Sequence, residues 1–285
     1  MNAATSMDAL VDTAWLATHL NAPDIRVVDA SWYLPGSGRD PRAEHAAGHI
    51  PGAVYFDIDE IADQDSPLPH MLPSPEKFSS RVRRLGLGDG VRIVVYDSGS
   101  WMASARVWWM FRVFGHEDVA VLDGGLARWR AEGRPLDDHG TPPRERHFTA
   151  RMNTLLLRDL DQVMANLADR RDQIVDVRGP GRFDGGEAEL RPGVRSGHIP
   201  GSVNLPYGAM IAEDGGLKST DDIRAAIATA GIDLDRPIVT SCGSGVSAAV
   251  TALALHRIGR PDVAVYDGSW TEWGSRDDTP IETGS

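Results

Sequence analysis

The sequence predicts an α/β protein of two like domains, each holding a parallel sheet covered by helices on both faces. Three observations lead there. Segments recur in the same order at a nearly constant offset. Near-continuous apolar strands alternate with helical stretches. One Pro-, Gly- and charge-rich stretch without apolar periodicity separates the two sets.

The recurrences are specific. "GHIPGAV" at 48–54 returns as "GHIPGSV" at 197–203, and "RVVDAS" at 26–31 as "QIVDVR" at 173–178. "FGHEDVAVLDGGLARW" at 114–129 is answered by "IGRPDVAVYDGSWTEW" at 258–273. Three ordered matches whose offset drifts by a few residues indicate tandem duplication with small loop insertions. The join lies around "AEGRPLDDHGTPPRERHFTARMNTL", 131–155. This gives a first domain over 1–140, a linker over 141–155 and a second domain over 156–285.

Each half is then read in order. A short helix, "DALVDTAWLATHL" at 8–20 or "LRDLDQVMANLAD" at 157–169, precedes an apolar strand ending at Asp29 or Asp176. The "GHIPG" segment turns into a second short strand, and another helix follows. A third apolar strand, "RIVVYD" at 92–97 or "PIVTSC" at 237–242, leads through a loop into a further helix, "MASARVWWMFRVFG" or "SAAVTALALHRIG". The last strand is "VAVLDGG" or "VAVYDGS". Open α/β sheets bind ligands beyond the carboxyl ends of their strands.

Composition narrows the function. The 285 residues are 41% hydrophobic and 25% charged, with a net charge of −12. That balance argues against nucleic acid or an anionic membrane surface as partner, yet a few arginines can still bind a small anion. The single cysteine cannot form an internal disulfide, and no Cys/His cluster has zinc-ligand spacing, so neither metal nor cofactor is expected. The opening "MNAATSMDALVDTAWLATHL" lacks a basic leader, and no apolar run reaches the ~18 residues of a membrane span. A reducing, cytoplasmic protein is expected.

That cysteine, Cys242, stands where an apolar strand breaks into "CGSGVSA" at 242–248. Aligned strands pair it with Asp97, so one copy can carry a nucleophile and the other cannot. Gly243 and Gly245 allow the loop to curl into the helix, and such a curl turns successive N–H groups inward as an anion cradle. Lowering a thiol pKa by about 2 units takes about 2.7 kcal/mol, whereas a helix terminus supplies about 0.3–1 kcal/mol. Loop amides and nearby cations must supply the rest. Cysteine phosphatases use a similar cradle but need an arginine six positions on; Ala248 stands there, which argues against phosphatase chemistry.

The tandem halves, the paired "GHIPG", "CGSGVSA" and "YDGSW" at 266–270 resemble the rhodanese-type sulfurtransferases over about residues 8–275. The loop is more similar to the 3-mercaptopyruvate branch, Cys-Gly-Ser-Gly-Val-Thr, than to the thiosulfate branch, Cys-Arg-Lys-Gly-Val-Thr; Ser247 replaces the threonine and keeps a hydroxyl. "DASWYLPGSGRD" and "ARVWWMFRVFGH" look like that branch too. The resemblance implies two rhodanese-like domains, each a mostly parallel five-stranded sheet flanked by helices, with the active site between them. It implies sulfur transfer from 3-mercaptopyruvate through a Cys242 persulfide to cyanide, a small thiol or thioredoxin, releasing pyruvate.

Residue by residue, the resemblance assigns Arg182 and Arg191 to the substrate's carboxylate and keto oxygen, a task for which planar guanidinium forks are suited. Gly243, Gly245, Val246 and Ser247 complete the substrate loop. Asp59 and His70 match an Asp and His proposed to form a relay with the loop serine, Ser244; the alternative is a domain-interface hydrogen-bond network without a proton role. His49 and His198 recur in both halves and read as turn stabilisers, Asp123 and Asp267 as turn or cap residues, and Trp108, Trp109, Trp270 and Trp273 as packing. The neutral Gly243–Ser244 pair favours a keto acid over doubly charged thiosulfate. Alternatives are a thiosulfate:cyanide sulfurtransferase, a non-enzymatic rhodanese-like binding module, and a sulfur-carrier protein.

Overall fold

The computed structural model describes residues 8–140 and 143–284. The first residues of the N-terminal stretch, 1–7, and positions 141–142 of the join therefore lie outside the described residues. Two compact units emerge. The first comprises Met1–Ala62, Pro73–Asn153 and Asp214–Gly216; the second comprises Asp63–Leu72, Thr154–Glu213 and Leu217–Ser285.

In the first unit, β1 (Leu10–Val11), β2 (Ile25–Asp29), β3 (Val54–Tyr55), β4 (Arg92–Tyr96) and β5 (Val119–Leu122) form one sheet in the order β1-β5-β4-β2-β3. In the second, β6 (Leu157–Arg158), β7 (Gln173–Asp176), β8 (Val203–Asn204), β9 (Ile238–Ser241) and β10 (Ala264–Tyr266) repeat it as β6-β10-β9-β7-β8. Every pairing is parallel. The register equates the halves: Asp29 pairs with Tyr96, and Asp176 with Ser241. Asp97 and Cys242 are thus each the first residue beyond the central strand.

Apolar continuity explains the central strands. Ile93, Val94, Val95 and Tyr96 are wholly buried, as a strand covered on both faces must be. The helix after each central strand is buried nearly all round, with ten of twelve residues inside over Met102–Val113 and eight of ten over Ala248–Arg257. A helix apolar on every side belongs in a core, so it gives the preceding loop a rigid base. No helix among the described residues is long and apolar enough to cross a membrane.

The "GHIPG" repeats are tight turns. Ala53 N donates to Ile50 O (2.9 Å) and Ser202 N to Ile199 O (3.0 Å). Gly52 and Gly201 take φ of +77° and +73°, which the position after proline requires in such a turn. His49 and His198 are buried, and each exchanges a pair of backbone bonds with a residue distant in sequence, Asp137 or Glu282, as an isolated antiparallel bridge. The described part of the join as far as Asn153 belongs to the first unit, and Thr154 begins the second. Phe148 packs edge-on against Phe78 and Phe111, and Asn153 N donates to Val113 O at 2.7 Å. His147 O comes so close that a Cβ on Gly88 would lie 2.3 Å from it.

Candidate active site

Cys242 is buried, with 2% of its surface exposed. Its main chain is pinned by the "YDGSW" segment. Cys242 N donates to Ser269 Oγ (3.1 Å), and Trp270 N donates to Cys242 O (2.9 Å). Gly243 O accepts from Thr271 N (2.8 Å) and Thr271 Oγ1 (2.6 Å). Gly245 takes φ +76°, and Ser247 leads into the helix at Ala248 without a side-chain cap. Among the described residues, the N–H groups of Gly243, Ser244, Val246, Ser247 and Ala248 donate to no protein acceptor; the first amide beyond them to find a carbonyl is Ala249, on Val246 O. These amides are available to an anion at the loop.

The sister loop shows such an anion held. Asp97 Oδ1 accepts from the backbone N–H of Gly99 (2.8 Å) and Trp101 (3.2 Å). Its Oδ2 accepts from Ser104 N (3.1 Å), Ser104 Oγ (3.1 Å) and Ser100 Oγ (3.3 Å). A carboxylate built into the chain fills this cradle in the first unit, where the second presents a thiol.

Sequence reasoning missed Ser269. It adopts φ +50°, a left-handed conformation costing a non-glycine residue about 1–2 kcal/mol. Its hydroxyl donates to Tyr266 O (2.7 Å) while accepting from Cys242 N. The matching residue in the first unit is Gly125, with φ +54°. The signal was present as a glycine-to-serine difference between otherwise matched segments, but its meaning depends on a contact 27 residues away in the chain.

Arg182 stands beside the loop, where its Nη1 would lie 3.8 Å from a Cβ on Gly243. Behind it is a buried charge chain. Arg178, fully buried, donates to Asp176 at the end of β7, to Gly197 O (2.8 Å) and to Glu189 Oε1 (2.5 Å), and stacks on Trp270 at 4.4 Å. Glu189 Oε2 is 3.7 Å from Arg182 Nη1. Burial pushes the Glu189 carboxyl above its usual range, against the opposing pull of Arg178 and Arg182. Neither Arg178 nor Glu189 was singled out from sequence, since long-range burial leaves no local pattern.

The remaining expected residues are distributed. Arg191 Nη2 lies 3.4 Å from His70 Nε2 as donor. His70 belongs to the Asp63–Leu72 segment of the second unit and takes φ +61°. Asp59, in the first unit on the short helix Ile58–Ile61, accepts from Trp32 Nε1 at 2.9 Å. Ser244 is half-buried in the loop; among the described residues its hydroxyl makes no hydrogen bond, to His70 or to any other group. Val246 is buried, and Ser247 is partly exposed at the helix start.

A twice-repeated parallel sheet, a lone cysteine beyond the second central strand and an aspartate in the sister position define a duplicated domain with one reactive copy. A rhodanese-like domain model matches residues 12–132 and again 159–276, and the chain belongs to the rhodanese-like family. It is 44% identical to human 3-mercaptopyruvate sulfurtransferase over 274 residues, 94% of this chain and 92% of that one. It is 46% identical to bovine thiosulfate sulfurtransferase over 283 residues, 96% and 94% of the two chains. The crystal structure of a 3-mercaptopyruvate sulfotransferase from Escherichia coli matches with a TM-score of 0.85 at 41% identity, covering 93% of this chain and 99% of that one. Relatives named for both sulfur donors are thus at hand, and overall identity does not choose between them.

Proposed function

We propose that this chain is a 3-mercaptopyruvate sulfurtransferase working through a persulfide on Cys242. Arg182 and Arg191 bind the carboxylate and keto oxygen of the donor. The Cys242 thiolate attacks the donor's sulfur, an S–S bond forms, and the C–S bond breaks. Its electron pair leaves with carbon as the enolate of pyruvate, which takes up a proton. The loop amides then hold the negative persulfide as fixed dipoles that need no rearrangement. Cyanide, a small thiol or thioredoxin removes the outer sulfur and regenerates the thiolate. His70, beside Arg191, and the hydroxyl of Ser244 are assigned to proton handling once substrate is seated, with Asp59 as their third member; apo geometry is often looser than that of the loaded site.

The observation that carries this reading is the set of amides of Gly243, Ser244, Val246, Ser247 and Ala248, which donate to no acceptor among the described residues, beside the Arg182 guanidinium. Intact-mass measurement after mixing with mercaptopyruvate tests it: Cys242 should gain one sulfur and lose it to cyanide, and Cys242→Ser should gain none. An unmodified wild-type chain refutes the reading. Thiosulfate is the competing donor, supported by the identity to the bovine enzyme. The neutral Gly243–Ser244 pair favours mercaptopyruvate, because doubly charged thiosulfate calls for cations in the loop itself. A higher kcat/KM for thiosulfate would reverse the assignment. The single cysteine and acidic balance support a reducing, cytoplasmic setting without nucleic acid as partner.

A further inference from the structure

The second unit contains one segment remote in sequence from the rest, Asp63–Leu72, reading "DQDSPLPHML". It is closed on itself: Asp63 N donates to Met71 O (2.9 Å), and Asp65 N and Leu68 N turn back onto Asp63 Oδ1 (3.0 Å) and Ser66 Oγ (3.1 Å). At its end, Leu72 N donates to Asp267 Oδ2 at 2.7 Å. Asp267 is buried, and its own N–H is tied to Arg158 O at 3.3 Å, at the end of β6. Immediately before these two anchors sits His70, with its left-handed backbone and its ring against Arg191. A strained non-glycine residue persists only where its surroundings over-determine it. Here the closure at Met71 and the latch at Leu72 are the two constraints next to it in the chain.

We propose that Asp267 is a positioning residue: by accepting from Leu72 N it latches the Asp63–Leu72 strap and so fixes the His70 imidazole against Arg191. The sister acid does a different job. Asp123 Oδ2 accepts from Arg128 Nη1 at 2.8 Å, within its own turn and helix, as befits the unit without a nucleophile. The latch concerns the site assigned above to mercaptopyruvate and rests on that reading for its catalytic consequence only.

Two measurements on the full chain separate the possibilities. In the wild type, hydrogen exchange should find the Leu72 amide protected at least tenfold relative to an unstructured peptide; exchange at the unstructured rate overturns the latch without any variant. Asp267→Ala should then raise exchange through the strap and lower kcat/KM for mercaptopyruvate at least tenfold. Asp267→Asn, which retains an oxygen acceptor, should stay within about threefold of wild type in both. An alanine variant with unchanged strap exchange and kinetics, or an asparagine variant as impaired as alanine, defeats the proposal. A wild-type chain inert to mercaptopyruvate but protected at Leu72 would refute the donor assignment while leaving the latch standing.

Discussion

Ser269 offers the sharpest test of how the nucleophile is held. Ser269→Ala removes the acceptor for Cys242 N and the donor for Tyr266 O while retaining the left-handed backbone. Each buried group left without a partner costs about 1–3 kcal/mol, so about 2–3 kcal/mol in all is expected if both fall low in that range. Ser269→Gly loses the same bonds but escapes a left-handed penalty of about 1–2 kcal/mol. Glycine's larger unfolded-state entropy returns about 0.5–1 kcal/mol of this. The expected order of stability is therefore wild type, then glycine, then alanine. Urea unfolding followed by tryptophan fluorescence reads it, because Trp270 and Trp273 are buried in the same unit. An alanine variant as stable as glycine, or either variant matching wild type, would refute the account of Ser269 as a strained anchor.

Arg182→Lys should lower kcat/KM for mercaptopyruvate by about tenfold or more, since a point charge cannot reproduce the fork; unchanged steady-state kinetics would remove Arg182 from the donor site. Asp97→Asn places an NH2 group among the donors of Gly99, Trp101 and Ser104 and should destabilise the first unit by about 2 kcal/mol, measured by chemical unfolding; no loss would show that the cradle does not need an anion. His116 lies against Phe111 and Phe148, its Nε2 without a hydrogen-bond partner among the described residues, and burial lowers its pKa below the usual 6.5. The unfolded chain then takes up the proton first, so the His116 contribution is intact above about pH 6.5 and is lost as pH falls below it. Stability curves of His116→Gln and wild type should converge on acidification; parallel curves from pH 7 to 5 would contradict this.

Much of this was legible because the chain states its plan twice. The matched "RIVVYD" and "PIVTSC" strands located Asp97 and Cys242 at equivalent sheet positions, and the register agrees. The paired "GHIPG" turns needed only local chemistry. What escaped was long-range. Glu189 and Arg178 matter through burial between elements, with no periodicity to mark them. Asp63–Leu72 follows the first repeat in sequence but makes its contacts in the second unit. Among the described residues of the join, Phe148 is the one buried hydrophobic side chain, which is too little for a pattern.

The deeper comparison lies between the two cradles. Asp97 is 2% exposed, the same as Cys242, yet it remains with five donors around its carboxylate. Burial of a charge at that depth is tolerable only because those donors are prearranged. If the sister loop has kept the same amide arrangement, Cys242→Asp places there the carboxylate that the first unit holds at Asp97. The variant should be about 1–2 kcal/mol more stable than Cys242→Ser, a neutral replacement at the same site, although Gly245 and Ala249 stand where the first unit has Ser100 and Ser104 and both hydroxyl donors are missing. Thermal unfolding of the two variants at neutral pH makes the comparison, and neither can form a persulfide. Should the aspartate variant prove the less stable of the two, the amides of 243–248 do not converge on position 242. Electrostatic holding of a persulfide there would then lose its physical basis, however well the arginines bind a keto acid.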